Sequence, residues 1–230
     1  MTSKPLVNLI VVAHPDDEVL GFGGTGTKLA QAGEIVQPII LCGSAQARTQ
    51  RPGNDDLFSD MLAANTALGF QRPVVGTFPN IRMNTVDHIE IVKFIEQYIE
   101  LYQPTRLFTH HPSDLNDDHV QTSKACLAAA RLFQRRTDIR PLQSLHFIEI
   151  LSSTDWVFST GTPMFTPDTF EDIESTLALK LKALAMYRNV MRQPPHPRSD
   201  EVITGHAAYR GGQSGFRYAE AFQTAFRRAI

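Results

Sequence analysis

The stretch Val11-Val12-Ala13-His14-Pro15-Asp16-Asp17-Glu18 most constrains the fold of this chain. A mostly apolar run, Leu6 to Val12, leads into a histidine and two consecutive aspartates. Gly21, Gly23, Gly24 and Gly26 follow soon after. That order predicts a buried strand, a polar turn and a helix entry. Open parallel sheets bind ligands at the carboxyl ends of their strands, so His14 falls where chemistry is expected.

The pattern repeats along the chain. Leu20–Ala32 reads as a helix stopped by Gly33, and Ile35–Leu41 as a second strand, with Pro38 suiting a less central place in the sheet. Arg48 to Asp56 reads as a mobile surface loop, Leu57–Leu68 as a helix and Pro73–Phe78 as a short strand. Val86, Ile89, Val92, Ile95, Ile99 and Tyr102 recur at steps of three and four, which predicts a helix packed by one face and ended by Pro104. Arg106–Thr109 is a further strand, and Val120–Arg136 is helical. Alternating strands and helices imply an α/β fold with a parallel sheet. Later, Leu145–Leu151 and Trp156–Phe158 read as strands and Ser175–Met191 as a helix. Ser199 would cap a helix to about Tyr209, Arg210-Gly211-Gly212 would be a loop, and Tyr218–Phe226 a final strand.

Composition narrows the function. A length of 230 residues suits one domain, and a net charge of −2 supplies no basic field for nucleic acid. No apolar run reaches the length of a membrane span. Leu6–Ala13 lacks the flanks of a signal peptide. Two cysteines, Cys42 and Cys126, fit a reducing compartment, so a cytoplasmic protein is expected.

The residues that could do chemistry are His14, Asp16, Asp17 and His119. His14 and Asp17, three apart in a turn, can reach one point, while Asp16 between them must point elsewhere. His119 leads into a helix after another strand, at the same sheet edge. Two histidines and one carboxylate are a ligand set for catalytic zinc with an open position for water, and Asp16 would be the general base. Zinc lowers the pKa of water by roughly 8 units, on the order of 12 kcal/mol towards a usable hydroxide. The plainer reading of Asp16 and Asp17 is a helix cap and a dipole partner. The second histidine-aspartate cluster, His110 to His119, weighs against it.

Ala13-His14-Pro15-Asp16-Asp17-Glu18 resembles the signature of the LmbE-like (PIG-L) zinc-dependent N-deacetylases. Asp114-x-Asn116-x-Asp118-His119 resembles their second motif and Phe78-Pro79-Asn80-Ile81-Arg82-Met83 a third. Pro195-His196-Pro197-Arg198-Ser199 and Arg210-Gly211-Gly212-Gln213-Ser214-Gly215 resemble the tail of one bacterial branch. The resemblance implies one Rossmann-like domain over residues 1–230, a mostly parallel sheet with helices on both faces. It implies His14, Asp17 and His119 as zinc ligands, Asp16 as base and Arg48 as a substrate-binding residue. The small-molecule substrate it implies is an N-acetylated amino sugar or sugar conjugate. Iron in place of zinc in the cell, and assembly into a homo-oligomer, stay open.

The chain departs from the family at Asn116, where many members carry a histidine that protonates the leaving amine or stabilises the oxyanion. Asparagine can donate to an oxyanion but cannot shuttle a proton. His111, Asp114 and His196 are candidates for the missing acid, and Asp16 returning the proton it accepted is the preferred one. Two alternatives remain: an amidase of the same fold acting on another amide, such as a thiol conjugate, and a non-catalytic nucleotide-binding module. The second rests on Gly21-Phe22-Gly23-Gly24-Thr25-Gly26, a weak match because His14–Leu20 separates it from the strand.

Overall fold

The structure is a computed structural model describing residues 5–44, 54–158 and 161–229. In chain order its elements are β1 (Val7–Val12), α1 (Asp17–Gln31), β2 (Ile35–Ile40), α2 (Asn54–Ala67), β3 (Val74–Val75), α3 (His88–Tyr102) and β4 (Arg106–His110). Then follow α4 (Asp117–Ala129), α5 (Leu132–Arg135), β5 (Ser144–Ile148), β6 (Thr169–Asp172), α6 (Leu177–Met186), α7 (Asp200–Ser214) and β7 (Ala219–Arg227).

The strands form one sheet in the order β3-β2-β1-β4-β5-β7-β6. The first five are mutually parallel, whereas β7 runs antiparallel to both β5 and β6. Chain order reverses between β1 and β4, so the carboxyl ends of those two strands form the crevice where α/β sheets bind ligands. The expected α/β class, with a mostly parallel sheet, is therefore what the chain adopts.

Strand β1 shows why both faces are covered. Ile10 and Val12 point into a core shared with Phe22, Met61, Leu184 and Phe222, under α1, α2 and α6. Leu9, Val11 and Ala13 point the other way, into a core with Ile91, Ile95, Ile99 and Cys126, under α3 and α4. A period of two along a strand that is apolar apart from Asn8 requires a layer on each side. Burying Ile91, Val92, Ile95 and Ile99 contributes about 1.5–3 kcal/mol apiece; Val92, Ile95 and Ile99 belong to the predicted stripe, whereas Ile89 of that stripe is exposed and Ile91 is buried in its place.

The glycines of α1 serve close packing. A Cβ on Gly21 would lie 2.7 Å from Ile148 Cδ1, and one on Gly24 2.8 Å from Ile173 Cγ2. They let the helix lie against its neighbours, and all four lie within α1 rather than in a turn directly after β1, where a dinucleotide fold places its first glycines.

Four expectations need correction. Trp156–Phe158 is not a strand: Thr154–Val157 is a 3-10 turn, because Ser153 and Thr154 turn their hydroxyls onto Asp114. Arg210-Gly211-Gly212 is not a loop but the last part of α7. Gly211 is there because a Cβ would meet Phe216 O at 2.7 Å, and Gly215, at φ +82°, ends the helix. Strand β6 was not expected; it is a half-buried edge strand of mixed composition held by β7. The predicted helix Val120–Arg136 is two helices, α4 and α5. Most of the Arg48–Asp56 loop, Arg48 included, lies outside the described residues, and Asp56 already belongs to α2.

Candidate metal centre

Two turns build the site. The first follows β1 and runs from Ala13 into α1, where Asp17 is the first helical residue. His14 N–H donates to Asp17 Oδ2 at 3.0 Å, folding the two side chains of the turn towards each other. The second follows β4 and runs from His111 to Asn116, the N-cap of α4, whose Oδ1 accepts from Asp118 N at 3.0 Å. His119 then stands in the first turn of α4. All of His14, Asp16, Asp17 and His119 are buried.

The structure brings His14, Asp17 and His119 together. His14 Nδ1 lies 3.3 Å from His119 Nε2 and 3.4 Å from Asp17 Oδ2, and His119 Nε2 lies 3.2 Å from Asp17 Oδ2. Tetrahedral coordination at about 2.0–2.1 Å puts neighbouring donor atoms about 3.3–3.4 Å apart. The three donors therefore already sit at the separations that zinc requires, and the group fits a metal ion.

Both imidazoles are oriented from behind. His14 Nε2 meets Asp118 Oδ2 at 2.9 Å, and His119 Nδ1 meets Asp114 Oδ1 at 3.2 Å. Asp118 also accepts from Ile81 N at 2.6 Å and Met83 N at 2.9 Å, tying the loop after β3 to the site. Ile81 is held at φ +58°, unfavourable for a β-branched residue, which marks a constrained segment beside the cleft. Asp114 is gripped by Ser153 and Thr154 and by the Asn116 N–H.

The field of the site favours positive charge. Burial alone would depress His119, but Asp17 and Asp114 raise it to about 10. Burial opposes ionisation of Asp17, yet His119, His14 and His110 hold its carboxyl well below the usual range. His14 is raised despite burial, through Asp118 and Asp17. A pocket whose carboxylates raise both imidazoles is one a divalent cation can occupy by displacing protons.

A second group, His110, Asp114 and His119, shares one imidazole with the first. His110 stacks on His119 with ring centroids 3.8 Å apart and planes 13° from parallel. In-plane lone pairs of stacked rings run side by side and do not converge on one ion. His110 Nε2 accepts from Ala13 N at 2.9 Å, and burial pushes its pKa down to about 3, so it stays neutral.

The cleft above the site has a volume of about 610 Å³ and is lined by His14, Asp17, His119, Asn116, Ile81 and Arg198, among others. That is ample for a sugar. Asn116 borders it with its Oδ1 engaged as the cap, leaving its amide N–H groups to meet a ligand. Asp16 has no exposed surface; Arg198 Nη1 donates to its Oδ2 at 2.9 Å. Beneath, Glu18 Oε2 accepts from Asp16 N at 3.1 Å, and Glu18 Oε1 binds Asn65 and Tyr187. Burial raises the Glu18 carboxyl to about 7.

None of the three candidate acids lines the cleft. Asp114 stays anionic: burial opposes it, but His119 and its other partners hold its pKa at about 2. His111 packs edge-on against Phe147 and Phe165, and His196 is exposed in its loop. No local sequence signal marks Ser153 or Thr154 for a role at the site. Arg198 was visible only as part of a tail motif.

Comparison with known proteins follows the same lines. A deacetylase of Escherichia coli K12, YaiS, described as uncharacterized, is 23% identical over 193 residues, covering 79% of this chain and 90% of its own. Among solved structures, the 4-carboxy-2-hydroxymuconate hydratase GalB of Pseudomonas putida KT2440 superposes with a TM-score of 0.79 at 20% identity, over 98% of both chains. N,N'-diacetylchitobiose deacetylase of Pyrococcus horikoshii superposes with a TM-score of 0.77 at 19% identity, over 95% of this chain and 83% of that one. The family model for PIG-L, GlcNAc-PI de-N-acetylase, matches residues 9–130, a stretch that holds both metal-type turns. With more than half of its length matched, the chain belongs to the PIG-L family of de-N-acetylases.

Proposed function

We propose that the chain is a zinc-dependent hydrolase that removes an acetyl group from an N-acetylated amino sugar or sugar conjugate. The observation that carries this reading is the triangle of His14 Nδ1, Asp17 Oδ2 and His119 Nε2, with edges of 3.2–3.4 Å, at the floor of a sugar-sized cleft. Membership of a de-N-acetylase family and likeness to a chitobiose deacetylase support the substrate class.

Zinc, when bound, supplies a Lewis acid that lowers the pKa of water to about 7. His14, Asp17 and His119 would hold it, with Asp118 and Asp114 fixing the two imidazoles. Asp16 accepts a proton from the attacking water and later delivers it to the amine nitrogen as the carbon–nitrogen bond breaks. Oxygen from water ends on the acyl carbon, so the products are acetate and the free amino sugar. Asn116 donates an amide N–H to the carbonyl oxygen as charge develops there. Asp16 doing both proton transfers fits the engagement of the other candidates: His111 accepts from Ser113 N, Asp114 is held by His119, Ser153 and Thr154, and His196 accepts from Arg198 N. Substrate binding by Arg48 and a cytoplasmic setting belong to the same reading, the latter supported by the two buried thiols. Among the described residues, no helix is long and apolar enough to cross a membrane.

Metal analysis combined with acetate release from a panel of N-acetyl sugars tests this function. One zinc per chain with release from at least one sugar is expected. A zinc-loaded protein releasing no acetate from any sugar would remove the substrate class and leave another amide, or the water addition catalysed by GalB, as the chemistry to assay. A protein with no affinity for zinc or iron would remove the mechanism.

A further inference from the structure

The loop before α7 crosses 182 residues of sequence to deliver one side chain to the site. We propose that Arg198 is a positioning residue for the reaction, fixing the direction of the Asp16 carboxylate; this rests on the amide-hydrolase reading above.

Three observations support it. First, Asp16 occupies the N-cap of α1 at φ +93° yet makes no side-chain cap hydrogen bond, so its helix does not orient the carboxylate. Arg198 Nη1 does, at 2.9 Å from Oδ2. Second, Asp16 has no exposed surface, whereas Arg198 borders the cleft beside His14, Asp17 and His119. The guanidinium therefore joins the buried carboxylate to the lining of the cleft. Third, the guanidinium stands on a rigid base. Arg192 N donates to Arg198 O at 3.1 Å, Arg198 N to His196 Nδ1 at 3.0 Å and Ser199 N to His196 O at 2.9 Å. Ser199 Oγ then accepts from Val202 N and starts α7.

The chemistry needs such a partner. Asp16 and Asp17 are consecutive buried carboxylates, and a buried charge requires a counter-charge with defined hydrogen bonds. His14 and His119 meet Asp17, and Arg198 meets Asp16. A planar guanidinium sets a direction that a lysine ammonium cannot, so charge alone is a partial substitute. Loss of direction acts on the chemical step and leaves substrate affinity in place.

The test has two arms. Arg198→Gln, checked for zinc content and thermal unfolding, is expected to keep its metal and fold, to lose about 100-fold in kcat and to hold KM within a few-fold. Arg198→Lys should recover part of that kcat. In the second arm, crystal structures of zinc-loaded wild type and Arg198→Gln need no substrate, and the variant should show the Asp16 carboxylate turned from its wild-type direction. An unmoved carboxylate in the variant would overturn the proposal, as would unchanged kcat or a raised KM with kcat intact. If the wild type cleaves no amide, the functional reading falls, while the direction of Asp16 still decides the role of Arg198.

Discussion

The two histidine-carboxylate groups at the carboxyl ends of β1 and β4 share His119, have the same residue types and are both buried, yet only one is built to hold an ion. In His14, Asp17 and His119, the donor atoms come from different directions and meet in a near-equilateral triangle. In His110, Asp114 and His119, two rings lie flat on each other and Asp114 is taken up by Ser153 and Thr154. The second group supports the first: Asp114 orients His119, and His110 props it while accepting the Ala13 amide. Composition nominates a site; the directions of the lone pairs decide it.

The comparison breaks most directly at Asp17, which belongs to the first group alone. Asp17→Ala should weaken zinc binding by more than about 100-fold, beyond what loss of an orienting partner costs, as read by titration of the apo protein. If Asp17→Ala kept its zinc and His110→Gln lost it, the assignment of the two groups would be reversed. Asp16→Asn leaves all three donors in place, so zinc should remain while turnover falls by about 10²–10⁴-fold. Full turnover in that variant would remove Asp16 as the base.

Asp118→Asn and Asp114→Asn sharpen the contrast between holding a ligand and being one. Each should cost about 10–100-fold in zinc affinity. Asp118→Asn should also loosen the Ile81–Met83 segment, visible as faster amide exchange at those two residues. Equal affinity to wild type in both variants would show that the imidazoles are oriented by packing alone.

The smallest effect separates the groups by pH. In the metal-free protein, His119 is raised to about 10 and His14 is also raised, whereas His110 is lowered to about 3. A raised pKa means the ring is protonated in the fold below that value, so zinc must displace the proton. Apparent zinc affinity should therefore keep rising with pH above 6.5 and up to about 10, and zinc added at pH 7 should release protons into weakly buffered solution. His110→Gln should not change the number released, because His110 carries no extra proton there. Zinc uptake without proton release would contradict the charge state given to His119.

How much was legible differs between the halves of the chain. Up to His119 the sequence is regular. Strands β1 and β2 are mostly apolar runs, α3 carries the stripe Val92, Ile95 and Ile99, and polar turns follow β1 and β4 directly. Local pattern and three-dimensional role coincide there. Beyond Ser144 they part. The aromatic residues Trp156 and Phe158 suggested a strand, but the backbone winds so that Ser153 and Thr154 reach Asp114. Gly211 suggested a loop, but its lack of a side chain lets Phe216 O approach. The first demand comes from a residue about forty positions away, and the second from the turn that the chain makes just after α7 at Gly215.

The sequence by itself determined the alternation of strand and helix, both cores and the two turns that carry His14, Asp17 and His119, because these follow from periodicity and from residues near one another in the chain. Tertiary structure alone decided the pairing of Asp118 with His14, of Asp114 with His119 and with Ser153 and Thr154, and of Arg198 with Asp16. All but one of these partners come from separate segments of the chain. Whether two polar groups meet depends on how the sheet and its loops close, and the strength of a buried hydrogen bond depends on a distance that no local pattern encodes.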